Sequence, residues 1–216
     1  MKKGFDSNVN LILFATALAQ AGYNFVGRYY NINNQSKNLT GAEARALSAA
    51  GLGIVAVWEN GFPTEAGYFS YVSGLRDGKN AYTYASGTIQ QPGSTPIYFA
   101  VDYDASSADI NGNIIKYFQG IEDVFNSISN YNPLYKVGVY GSGLVCSTIK
   151  EANLATYTWL AQSTGWQGSS TYSTFNMQQL AEITIFPDLG GVTGDPNQSP
   201  NDNEGSFTIS SGSIAS

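Results

Sequence analysis

Two carboxylates close the apolar run Ile97-Tyr-Phe-Ala-Val-Asp-Tyr-Asp104. Read as a strand, the run alternates faces with a period of two. Ile97, Phe99, Val101 and Tyr103 share one face, and Tyr98, Ala100, Asp102 and Asp104 share the other. Asp102 and Asp104 then converge at the C-terminal end, about 7 Å apart at Cα. Like charges that close raise at least one pKa, which keeps a carboxylic acid protonated near neutral pH. Acidic residues also end other predicted strands: Asp6 in Gly4-Phe-Asp6, Glu59 in Val55-Ala-Val-Trp-Glu59 and Asp195 in Thr193-Gly-Asp-Pro-Asn197. Asp and Glu are poor strand formers, so their recurrence there asks for a reason. The chain has no histidine. That removes Ser-His-Asp and Cys-His nucleophile systems and most zinc sites, leaving proton chemistry to Asp, Glu, Tyr or Lys. Cys146 is the only cysteine, so no intrachain disulfide or CxxC site exists, and we read it as a buried helix residue.

The elements that must position these groups alternate between β-type and helical runs, which signals a parallel sheet with crossover helices. Predicted strands are Lys3–Asp6, Phe25–Tyr30, Gly53–Glu59, Pro96–Asp104, Lys136–Tyr140, Thr156–Gln162 and Phe175–Gln179, with a weak eighth near Thr193–Asn197. Val9–Ala21 reads as a buried amphipathic helix, although Lys2 and Lys3 before its apolar run imitate an export signal. Thr40-Gly-Ala-Glu43 is a capping box opening a helix over Ala42–Ala50. Pro63-Thr64 opens another towards Gly74, Asp77 caps one towards Ala85, and helices follow over Ile110–Ile128 and Gly143–Ala152. The pattern suits a single α/β domain, a compact (β/α)₈ TIM-type barrel over residues 1–198 that turns irregular in its last units. A doubly wound open sheet is the alternative, but Asp6-Ser-Asn-Val-Asn is not a Gly-rich phosphate turn. Residues 199–216 read as a tail or linker. In a barrel, strand C-termini share one mouth, so Asp6, Glu59, Asp102, Asp104 and Asp195 gather there.

Composition narrows the partners. The 216 residues are 43% hydrophobic and only 12% charged, with 10 Lys plus Arg against 16 Asp plus Glu, a net charge of −6. That surface repels phosphate backbones, so a nucleic-acid partner is disfavoured. No stretch approaches the roughly 20 apolar residues of a membrane span. Fifteen Tyr, 11 Phe and 3 Trp among neutral polar residues are what a sugar-contacting surface needs, so a polysaccharide or oligosaccharide is the expected ligand. The low charge also suits a secreted bacterial protein. No cofactor and no metal is implied.

Plainer roles compete for several of these residues. Asp6 at a strand end could cap the next helix, and Asp104 and Asp109 could cap the fourth. Trp58 and Tyr140 could be core aromatics, and Arg28 could simply neutralise Asp6 or Asp102. Asp102 is the hardest to dismiss, because it follows an apolar strand and points inward.

Gly4-Phe-Asp6, Phe25-Val-Gly-Arg-Tyr-Tyr30, Leu39-Thr-Gly-Ala-Glu43, Ala56-Val-Trp-Glu59, Pro96-Ile-Tyr-Phe-Ala-Val-Asp-Tyr-Asp104, Tyr135-Lys-Val-Gly-Val-Tyr-Gly-Ser-Gly143 and Trp159-Leu-Ala-Gln162 run in the order of one family. Over roughly residues 3–198 the chain resembles the bacterial glycoside-hydrolase-like TIM-barrel family of unknown function, which is similar to the family 25 lysozymes. The resemblance implies a barrel, a glycosidase role and association with bacterial cell envelopes. Asp6 matches the lysozymes' first-strand Asp, and Asp102-Tyr-Asp104 matches their fourth-strand Asp-x-Glu. Asp104 departs from the Glu that would donate the proton, being one methylene shorter.

The expectation is therefore hydrolysis of an acetamido-sugar glycan of the bacterial cell wall. Glu59 is the expected general acid, with Asp104 the contender. Asp102 activates water or stabilises the oxocarbenium-like state, and Asp6 tunes it. Trp58, Tyr140 and Trp166 offer stacking faces, while Arg28, Gln162, Gln178 and Asp195 offer polar contacts. A non-catalytic glycan-binding barrel with the same acidic mouth is the rival. A metal-dependent transferase using Asp102-x-Asp104 would need a nucleotide-binding half as well.

Overall fold

The computed structural model describes residues 1–210. Its strands are β1 (Lys2–Asp6), β2 (Phe25–Tyr30), β3 (Gly53–Trp58), β4 (Pro96–Ala100), β5 (Lys136–Gly141), β6 (Tyr157–Leu160), β7 (Met177–Gln179), β8 (Ile183–Ile185) and β9 (Val192–Ser199). β1 to β7 pair in parallel in chain order, and β9 lies antiparallel between β7 and β1, closing an eight-stranded barrel. β8 forms a hairpin on β9. The fold is thus a TIM-type barrel, irregular in its last units, with one correction: the eighth barrel strand runs against the other seven. A parallel eighth strand needs a long crossover, whereas an antiparallel one follows from a short hairpin. That economy lets about 200 residues close a barrel that ordinarily takes about 250.

The helices are α1 (Ala15–Gln20), α2 (Gly41–Ala49), α3 (Tyr71–Thr83), α4 (Ser107–Asp109), α5 (Ile115–Ile128) and α6 (Gly143–Glu151). Their apolar faces and the outward side chains of the strands make the larger core, with Phe5, Val26, Tyr30, Ile54, Trp58, Phe99, Phe118 and Val139 among its buried members. Each such large apolar side chain contributes about 2 kcal/mol on burial. The inward positions make a smaller core of Phe25, Val55, Val57, Tyr98, Ala100, Trp159 and Met177.

Three helical expectations need correcting. The segment after β1 is a 3₁₀ turn over Ile12–Phe14 followed by α1, and Leu13 is 83% exposed, so it is not one buried helix. Residues 63–70 hold only a 3₁₀ turn at Ala66–Tyr68, because the Pro63 carbonyl accepts the Asp102 N–H and pins the segment to the mouth. The helix starts instead at Tyr71, behind a reciprocal Ser70–Ser73 capping box. Asp77 caps nothing: it sits buried inside α3 and accepts from Tyr68, Tyr117 and Arg76. Asp109 does cap, reciprocally with Ser106 at the start of α4.

Residues 200–210 are not a free tail. They cross the barrel's floor, where Ile54 and Phe207 exchange backbone hydrogen bonds and the Glu204 carbonyl accepts the buried Tyr98 hydroxyl. Gly205 turns there at φ +75°, and a Cβ on it would meet the Pro96 ring at 2.3 Å, so only glycine fits. The rest of the expected tail, 211–216, lies outside the described residues.

Candidate active site

Strand parity decides what reaches the mouth. Inward positions carry Asp6 on β1, Tyr29 on β2, Val57 on β3, Tyr98 and Ala100 on β4, Tyr140 on β5, Trp159 on β6, Gln179 on β7 and Asp195 on β9. Glu59 and Asp102 continue the inward rows just past β3 and β4. Tyr29, Val57, Glu59, Asp102, Tyr140, Trp159, Gln162, Gln179 and Asp195 line a cavity of about 280 Å³. A second cavity of about 270 Å³ shares Tyr29 and Asp195 with it and adds Asp6, Ser7, Asn8, Glu182, Thr193 and Gly194. Of the expected site residues, Asp6, Glu59, Asp102, Tyr140, Gln162 and Asp195 therefore meet at one mouth.

Five others do not. Arg28 and Trp58 sit on outward positions. Arg28 is fully buried, with Nε 2.7 Å from Glu43 Oε1 on α2, and it also donates to the Ser7 carbonyl, so it holds the wall behind the mouth and contacts no ligand space. Glu43 is consequently drawn away from the capping box, of which only the Thr40 half forms. Trp58 is buried in the outer core. Gln178 also faces outward, where it accepts from Gln198 at 2.9 Å, and its neighbour Gln179 takes the inward place. Asp104 is exposed, because β4 ends at Ala100 and the chain turns; its Oδ1 accepts the Gln167 N–H at 2.7 Å and braces the loop between β6 and β7. Trp166 lies in that loop and lines neither cavity.

Asp6 is 1% exposed. It accepts from Asn197 Nδ2 at 2.7 Å, Gln179 Nε2 at 3.1 Å and the Tyr29 hydroxyl at 3.3 Å. Burial pushes its carboxyl up to about 7; the Asp195 charge adds to the push, and the three neutral donors hold it back. Gly27 makes the room, since a Cβ there would sit 2.6 Å from Asp6 Cβ. Asp195 shares the Gln179 amide at 3.1 Å, and burial with the Glu182 charge pushes it up to about 6. Gln179 in turn accepts the Tyr140 hydroxyl at 2.9 Å, which fixes its amide as the donor to both acids. Asp102 is raised by burial and by the Glu59 charge, and lowered by Lys37. Glu59 pairs with Lys37 Nζ at 2.6 Å. Tyr140 packs edge-on against Trp159, with ring centroids 5.2 Å apart.

Tyr29, Trp159, Gln179 and Lys37 also reach the mouth, with no catalytic motif in the sequence to mark them. Parity counted outward from Asp6 and Tyr140 would have found the first three. Lys37 has no local signal, because it reaches the mouth from the segment between β2 and α2. Among the described residues no group of three or more His, Cys, Asp or Glu is arranged to hold a metal ion, and no helix is long and apolar enough to cross a membrane. Cys146 is buried, and burial pushes its thiol up to about 12.

The chain is 33% identical over 192 residues to the uncharacterized protein YbfG of Bacillus subtilis (strain 168), covering 82% of this chain and 26% of that protein. It spans less than a third of the length of the curated relatives it matches. Among solved structures, the Mycobacterium tuberculosis Tat-secreted protein Rv2525c in complex with L-tartrate superposes with a TM-score of 0.78 at 21% identity, covering 95% of this chain and 98% of that one. A bacterial lysozyme from Streptomyces coelicolor superposes at 0.54 with 13% identity, covering 93% and 92%. These likenesses show the same fold. The family model of the Rv2525c-like, glycoside hydrolase-like domain matches residues 16–198, from α1 to the closing strand, and the chain belongs to that family.

Proposed function

We propose that the protein hydrolyses a glycan of the bacterial cell wall, built from acetamido sugars, by carboxylate acid/base chemistry at the barrel mouth. The observation that carries this reading is the pair Glu59 and Asp102 facing one cavity, backed by the buried Asp6 and the half-buried Asp195, in a chain of a glycoside-hydrolase-like family. Two carboxyl groups across a glycosidic bond suffice for that reaction: one protonates the departing oxygen, and the other meets the positive charge that grows at the anomeric carbon. Tyr140 and Trp159 give the cavity aromatic walls, and Gln162 and Gln179 give it neutral hydrogen-bonding groups. The adjoining cavity beside Asp6 offers space for a further sugar unit. Lysozyme and muramidase structures share the fold, and the Tat-secreted character of Rv2525c supports work outside the cytoplasm.

The test is release of reducing ends from a panel of peptidoglycan and chitin-type substrates. Glu59→Gln and Asp102→Asn are each expected to lower turnover by about 10²–10⁴-fold, the usual weight of one acid or base. Unchanged turnover in both variants would refute the assignment. Tight oligosaccharide binding without cleavage by the wild type would make the barrel a glycan-binding module.

A further inference from the structure

Acid/base work by two carboxyl groups needs them in different protonation states, yet nothing in residue type makes Glu59 and Asp102 unequal. Their surroundings do. Glu59 Oε1 accepts from Lys37 Nζ at 2.6 Å, with both side chains mostly withdrawn from water. The same ammonium lies 4.9 Å from the centre of the Tyr29 ring, whose hydroxyl reaches Asp6. Among the described residues Asp102 has no ion-pair partner; its backbone N–H is spent on the Pro63 carbonyl. Among the described residues, Lys37 makes the only salt bridge to a carboxylate of the mouth.

Lys37 is held there by construction. It ends the 3₁₀ turn Gln35–Lys37, in a segment wired by side-chain amides. Asn31 Oδ1 accepts the N–H groups of Asn33 and Asn34 at 2.7 and 2.6 Å, and Asn60 Oδ1 accepts those of Ile32 and Asn33 at 3.1 Å. Asn31 Nδ2 donates to the backbone carbonyl of Glu59 itself, and Asn38 Nδ2 donates to that of Asn31. The clasp therefore fastens the loop bearing the cation to the loop bearing the acid.

We propose that Lys37 is a positioning residue that divides labour between the two carboxyl groups, holding Glu59 as the charged partner and leaving Asp102 to carry the proton. This rests on the hydrolytic reading above and reverses the roles that the sequence suggested for Glu59 and Asp102. In the cycle Asp102 gives its proton to the glycosidic oxygen as the bond from the anomeric carbon to that oxygen breaks. The Glu59 carboxylate faces the developing positive charge. Water then adds to the anomeric carbon and returns a proton to Asp102, so one water is consumed and both carboxyl groups end as they began. The other titratable groups facing the pair are Tyr29 from β2, Tyr140 from β5, Asp6 from β1 and Asp195 from β9, none of them a cation at neutral pH.

The test follows Asp102 by carboxyl NMR titration of the full chain, in the wild type, Lys37→Met and Lys37→Arg, beside pH profiles of kcat/KM. In the wild type Asp102 is expected to titrate above the ordinary aspartate value. In Lys37→Met, with the cation that lowers Asp102 gone, the Asp102 titration should move further up and the pH profile should shift with it. Lys37→Arg should leave both as in the wild type. An Asp102 titration and a pH profile both unchanged in Lys37→Met, or a wild-type Asp102 at the ordinary aspartate value, would overturn the proposal; Lys37→Gln repeats the measurement should the methionine variant fold poorly. The expected titrations in a protein that cleaves no glycan would instead overturn the hydrolytic reading and leave the division of charge standing.

Discussion

The two ends of the barrel each bury a carboxylate beside the seam between β1 and β9, with opposite outcomes. At the mouth, Asp6 is surrounded by neutral donors and a second acid, and its carboxyl is pushed up to about 7. At the floor, Glu204 is 1% exposed, yet its carboxyl is held below the ordinary value. Burial would raise it, but Lys2 Nζ at 2.8 Å, the Ser206 hydroxyl at 2.6 Å and its own backbone N–H together outweigh that push. The difference is one cation. At the floor the ammonium ties Glu204 into the structure as a carboxylate; at the mouth, where amides, a phenol and a second acid surround it, Asp6 keeps a proton near neutrality.

Three substitutions would break or sharpen that contrast. The largest effect is expected from Phe207→Ala, which empties a buried site beneath the floor and should cost about 3–5 kcal/mol in denaturant unfolding; a loss below about 0.5 kcal/mol would mean the floor segment adds nothing to the barrel. Next comes Asp6→Asn. A carboxyl raised on folding contributes most below its unfolded value near 3.8 and loses that contribution as pH climbs through about 7. The amide should therefore stabilise the protein by about 2 kcal/mol at pH 8 and change little at pH 4, as read by thermal unfolding at both. The smallest is Glu204→Gln, with the opposite sign. A depressed carboxyl contributes above its unfolded value and loses that contribution as pH falls through the folded one, so the variant should lose about 1 kcal/mol at pH 7 and nothing in strong acid. If both acid variants shift stability in the same direction at neutral pH, the contrast between the two ends is wrong.

Much of the barrel was legible because strands advertise themselves by alternation. Seven of the predicted strands coincide with observed ones to within a few residues, and the mouth acids Asp6, Glu59, Asp102 and Asp195 were found as strand ends. The failures have physical causes. The period-two pattern runs on past the true end of β4 and points Asp104 inward, whereas the chain has already turned away at Ala100. Chemical type points Arg28, Trp58 and Gln178 to the mouth, but their parity turns them outward. Lys37 was invisible because its position depends on Asn31 and Asn60, which clasp across two loops and leave no periodic trace. Strand direction was equally hidden, since side-chain alternation looks the same whichever way a strand runs.

Reversing the closing strand also settles where the barrel's ends emerge. Lys2 pairs with Ser199, so the first strand begins and the closing strand ends side by side on the face away from the acids. The segment through Ile209 stays on that same face, against Ile54 and Ser48, and so leaves the opposite rim clear for a long polymer to slide across.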